Sequence, residues 1–137
     1  MRQVLRLLLA AALVAAPGQP LAAHHSVSAE FDATRTITFT GKVTRVEWMN
    51  PHIYTNIEAK DESGKLVVFR VEGGAPNSLF RQGWRPDTLK PGDTVTVTGC
   101  RSKNPASMNV GLATVRTADG KLIFATVAGN TYGEAGP

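Results

Sequence analysis

Between Thr36 and Trp48 apolar and polar residues alternate, but the alternation slips by one position part-way along. Ile37, Phe39, Gly41 and Val43 share one face of an extended strand. Val46 and Trp48 rejoin that face only if an extra residue is accommodated near Thr44 and Arg45. A bulge there bends and coils a long first strand, and Gly41 eases the same curvature. A small closed barrel requires this of a strand shared between its two sides.

The following segments fit that frame. After Asn50-Pro51, a second strand runs from about His52 to Ala59, with Ile53, Thr55, Ile57 and Ala59 on one face and His52, Tyr54, Asn56 and Glu58 on the other. Asp61-Glu62-Ser63-Gly64 has the residue types of a hairpin turn and leads into a third strand, Leu66 to Glu72. Gly73 and Gly74 end it. Asn77 is placed to cap a short helix over Ser78 to Gln82, closed by Gly83, with Leu79 and Phe80 facing the core. Leu89-Lys90-Pro91-Gly92-Asp93 turns the chain into a fourth strand, Thr94 to Arg101, and a fifth covers Asn109 to Thr117. Asp119-Gly120 is a further hairpin turn before a short closing strand, Lys121 to Val127. The expected fold is all-β: a five- to six-stranded Greek-key barrel of the oligonucleotide/oligosaccharide-binding (OB) type, with one short helix between strands three and four. A plain β-sandwich is the competing arrangement.

The first 23 residues do not belong to that domain. Arg2 and Arg6 precede an apolar run from Leu7 to Ala16, broken by Pro17, Gly18 and Pro20 and followed by the small residues Ala22 and Ala23, the pattern of a cleavable signal peptide. The run is shorter than the roughly 20 apolar residues of a membrane span, and no transmembrane segment is expected after its removal. The expected divisions are a signal peptide over 1–23, a polar lead over 24–35, the barrel over 36–128 and a loose tail over 129–137, with the mature protein in the periplasm. Arg2 and Arg6 are the only charges in the leader, so its loss lowers the net charge from +4 to +2. The remaining Lys and Arg are scattered among acids rather than gathered in a stripe, which argues against nucleic acid as a partner. The single cysteine, Cys100, excludes an intramolecular disulfide; it reads as a small apolar wall residue, the alternative being a soft metal ligand or reactive thiol.

His24-His25-Ser26, Phe31-Asp32, Gly41-Lys42-Val43, Trp48-Met49-Asn50-Pro51-His52, Glu72-Gly73-Gly74-Ala75-Pro76-Asn77, Gly83-Trp84 and Leu89-Lys90-Pro91-Gly92-Asp93 resemble, in order and spacing, the segments of a family of exported bacterial proteins, domain of unknown function family 6152 (DUF6152). The resemblance spans nearly the whole chain after the leader. It implies an exported location and this kind of fold, and carries no chemistry of its own.

Chemistry has to come from the residues. All three histidines fall in two places, His24 and His25 at the expected mature terminus and His52 just after Asn50-Pro51. Imidazole is a common ligand for copper, zinc and nickel, and a freed terminal amine adds another nitrogen. Cleavage after Ala23 makes His24 the first residue, while cleavage after Ala22 puts a histidine third from the amine, where backbone nitrogens can wrap square-planar Cu(II); copper is the better fit in both registers. The competing reading makes the histidine pair a polar terminus and His52 a turn cap or a ring packed beside Trp48. A second group, Trp48, Asn50, His52, Tyr54 and Trp84, offers rings to stack on a sugar, heterocycle or peptide, although core packing is the favoured use of both tryptophans. Glu72, beside Gly73 and Gly74, is available to bond a loop, cap the helix start or act as a ligand. No nucleophile elbow, zinc-protease helix, Walker loop or dinucleotide fingerprint is present, so no enzyme class is indicated. The expectation is an exported binding module that takes copper through His24, His25 and His52. The alternative is a metal-free module docking a periplasmic protein or saccharide by its aromatic face, and an electron-transfer accessory role would follow only from bound copper.

Overall fold

The computed structural model describes residues 27–127 and 130–131. The expected leader, His24, His25 and most of the expected tail lie outside the described residues. In chain order the elements are α1 (Val27–Glu30), β1 (Phe31–Glu47), β2 (Tyr54–Lys60), β3 (Leu66–Glu72), α2 (Pro76–Arg81), β4 (Thr94–Ser102), β5 (Asn109–Thr117), β6 (Leu122–Val127) and β7 (Asn130–Thr131). The fold is all-β, with antiparallel strands and one short helix between β3 and β4. The strands run side by side in the order β3-β2-β1-β4-β5-β6-β7, and a parallel pairing of Arg70 and Val71 with Asn109 and Val110 joins β3 to β5, so that β1 to β5 form a ring-like sheet.

Local chemistry explains how β1 serves both sides of this ring. Its first half pairs with β4, from Thr36↔Cys100 to Lys42↔Thr94, and its second half with β2, from Lys42↔Glu58 to Glu47↔Tyr54. The register to β2 shifts between Val43 and Arg45, where the hydrophobic alternation slips. Gly41 marks the crossing: a Cβ there would overlap the Glu58 carbonyl and the side chains of Ile57 and Ala59. A second bulge bends β5, where the register to β4 shifts between Thr98 and Cys100 and Leu112 takes a φ of 49°.

β1 also begins earlier than the alternation implies. Phe31, expected in a polar lead, is buried, and its ring occupies the space above Gly111 where a Cβ would stand. The tail expected to be loose contributes Asn130 and Thr131, which pair with Val127 and Thr126.

The helix departs from expectation at its start. Ala75 is the N-cap residue, no side chain caps the helix, and Pro76 occupies the first turn, so Asn77 lies inside and exposed. Proline's fixed φ and missing N–H suit that first position and outweigh the capping preference of asparagine one residue later. Leu79 from this helix, Trp84 and Leu89 from the following loop, and Phe124 from β6 join Ile53, Val71, Val95 and Val115 in one core. They cover the end of the ring where β2 begins and β3 ends: Ile53 bonds Gly73 and Gly74 there through backbone hydrogen bonds of 2.8 and 3.0 Å, and Gly73 lies against Phe124.

Candidate functional site

Ile53 is fully buried, and alternation from it turns His52 and Tyr54 to the outer face of the sheet. The hairpin register sets Tyr54 opposite Glu72 and Asn56 opposite Arg70, while β1 sets Glu47 opposite Tyr54 and Arg45 opposite Asn56. Six polar side chains from three strands therefore share one patch, and His52 stands at its edge.

His52 Nδ1 lies 2.6 Å from Glu72 Oε1, with the histidine side chain 38% exposed and the glutamate 13%. Burial pushes the Glu72 carboxyl above its ordinary range and the nearby Glu30 charge adds to this, against the pull of His52. Tyr54 is also shifted upward, by burial and then by the Glu72 charge. The Arg70 guanidinium lies 3.4 Å from the centre of the Tyr54 ring and donates to Glu47 Oε2 at 3.1 Å. Glu47 Oε1 accepts from Asn56 at 2.7 Å and from Arg45 at 2.9 Å. Those donors, Arg70 first, hold the Glu47 carboxyl down at about 2. Glu30, at the end of α1, accepts from Asn109 at 3.0 Å. The chain just before β1 therefore reaches the same patch.

The residues singled out in the sequence meet different fates. His52, Tyr54 and Glu72 come together. Trp48 is half-buried and packs against the core, and Asn50 is exposed in the β1–β2 loop, where the Asn50–Pro51 peptide is cis. Trp84 does not join an aromatic face: it is 5% exposed, meets Phe124 edge-on at 5.3 Å and donates from Nε1 to the Ile123 carbonyl at 2.8 Å. Its size and its one polar atom are both satisfied inside. Cys100 is buried and free, with its sulfur 4.0 Å from the Thr36 hydroxyl.

Glu47, Arg45 and Arg70 were not anticipated as a unit. Their signal was available, because the Asp61–Gly64 turn fixes the β2–β3 register and the bulge fixes that of β1.

Among the described residues no three His, Cys, Asp or Glu side chains converge as a metal-binding group. The His52–Glu72 pair offers one oriented imidazole. No helix among the described residues is long and apolar enough to cross a membrane. No curated protein and no solved structure matches the chain. The sequence model of the family of unknown function DUF6152 matches residues 11–112 of the 137, and the chain belongs to that family.

Proposed function

We infer that the protein is an exported binding module of OB type that holds a copper ion at the outer face of β1 to β3, with His52, His24 and His25 as ligands. The ring order β1-β2-β3-β5-β4, with its parallel β3–β5 contact and a helix between β3 and β4, supports the OB reading. In such folds the strand two to three face and the loop after strand one bind ligands, and His52 lies in that loop.

The observation that carries the chemistry is the 2.6 Å contact between His52 Nδ1 and Glu72 Oε1. An imidazole held through one nitrogen by a carboxylate has its tautomer and ring plane fixed, which leaves Nε2 as the ligating atom. Glu72 is then the orienting group rather than a ligand. The path of the lead supports a contribution from the terminus. Phe31 is seated on Gly111, and the Glu30 charge acts on Glu72. His25 precedes Val27 by two residues, a span of at most about 7 Å of chain. Three imidazoles and an amine form a nitrogen-rich set that favours copper over harder ions. The metal-free aromatic-face alternative has less support, since Trp84 is enclosed and Arg70 covers Tyr54.

Copper titration of the processed protein, followed by electron paramagnetic resonance, tests this reading. One Cu(II) per chain with nitrogen hyperfine structure is expected, weakened about tenfold or more by His52→Ala and by Glu72→Gln. Equal affinity in His52→Ala and parent removes His52 from the site, and undiminished binding when the leader is retained removes the terminus.

A further inference from the structure

Among the described residues no helix packs over the opposite end of the ring, at the β2–β3 turn. There, the first half of β1, the β2–β3 turn and the end of β4 enclose a cavity of about 330 Å³. Its floor is apolar, formed by Phe39 and Phe69, whose rings stack with centroids 4.2 Å apart, together with Met108. Its rim carries three cations, Arg35, Lys60 and Arg101, against Asp61 and Glu62.

Three cations face two carboxylates there, an excess of one positive charge. Asp61 Oδ1 is engaged by its own turn, accepting from the Ser63 hydroxyl at 2.6 Å and from the Ser63 and Lys65 amides at 2.9 and 3.0 Å. These bonds, led by the Ser63 hydroxyl, hold its carboxyl below the usual range. Arg101 is half-buried and lies 5.5 Å from the centre of the Phe69 ring. It donates to the Met108 sulfur at 3.5 Å and the Ser107 carbonyl at 3.2 Å, and the ion pairs among the described residues do not include it. A guanidinium fixed by two neutral acceptors, beside aromatic faces and with no carboxylate partner among the described residues, is a preorganised receptor for an anion.

We propose that this cavity is a second binding site, distinct from the His52 patch, for a small organic anion with a flat apolar body, such as an aromatic carboxylate or sulfonate. The ring of the ligand lies on Phe39, Phe69 and Met108, and its acid group meets Arg101, with Arg35 and Lys60 adding to the field. The volume is at the small end of the roughly 300–1,000 Å³ of ligand sites, which suits one or two fused rings and excludes a polymer chain.

The test uses naphthalene-2-sulfonate and its uncharged analogue naphthalene-2-methanol, each titrated to about 1 mM into the ¹⁵N-labelled protein. The sulfonate is expected to shift the amides of Phe39, Lys60, Phe69 and Met108 and to bind about tenfold or more tightly than the alcohol. Arg101→Gln should remove most of that preference, and Arg101→Lys, which keeps the charge but loses the fork, should retain more of it. Because Arg101 also steadies the loop before β5, Arg35→Gln, at an exposed position, provides an independent reading: a loss of about threefold in sulfonate affinity. Equal affinity for both probes, shifts lying outside the cavity, or unchanged preference in the Arg101 variants overturns the proposal. Copper binding is read separately, so failure here leaves the His52 reading standing.

Discussion

At the end of the β2–β3 hairpin where β2 begins, acids and bases are matched: Glu47 is shared by Arg45 and Arg70, and Glu72 is held by His52. Beneath them the core is closed by Leu79, Trp84 and Phe124. At the turn end, Phe39 and Phe69 are stacked beside open space and Arg101 rests on neutral acceptors. The same hairpin thus has one end where charged side chains satisfy one another and another that borders a cavity. Aligning one imidazole favours the first arrangement, while admitting a ligand requires the second.

The sharpest way to break this contrast is to remove an aromatic ring from each end. Trp84→Ala should cost about 3–5 kcal/mol, because a fully enclosed ring and its hydrogen bond are lost together. Phe39→Ala should cost about 2 kcal/mol, since that ring is only half-buried and borders the cavity. Urea unfolding measures both, and equal losses would mean that the two ends are packed alike.

Gly111→Val asks whether the lead is locked onto β5. The added side chain displaces the Phe31 ring, and a loss of about 1–3 kcal/mol is expected, together with fast amide exchange at residues 31–34. A variant as stable as the parent would show that Phe31 is not held there.

The smallest effect concerns the matched charges. The Glu47 carboxyl is held at about 2 in the folded protein against an ordinary 4.5, so the folded state binds that proton less readily than the unfolded chain does. Its contribution to stability is complete above 4.5 and is lost as pH falls toward 2. The urea midpoint of the parent should therefore drop across that window, and that of Glu47→Gln should drop less. Parallel curves would place the acid sensitivity elsewhere.

Much of this was legible in the sequence wherever the cause was local. The spans of β3 and β5 follow from alternation bounded by turn residues, and the bulge in β1 from a broken alternation. What was missed depends on distant partners. Phe31 reads as part of a polar lead because its burial is supplied by Gly111, far along the chain. The core packing favoured for Trp84 follows from its size, but nothing near it reveals that Ile123 will accept its indole hydrogen. His52 and Glu72 were both singled out, but their pairing needs the hairpin register rather than residue identity. The cavity around Arg101 had no sequence signal, since it arises where β1, the β2–β3 turn and the end of β4 meet from distant parts of the chain.

The β3–β5 contact has a mechanical consequence. The ring is shut there by two residue pairs, whereas β1 and β4 zip together along most of their length. Few backbone pairs hold that seam, and the fully buried Val71 and Val110 behind them supply the rest of its hold. Parting it frees the Met108 carbonyl from the Arg70 amide and loosens the wall beside Phe69. The shortest stitch in the ring is therefore held as much by side chains as by backbone.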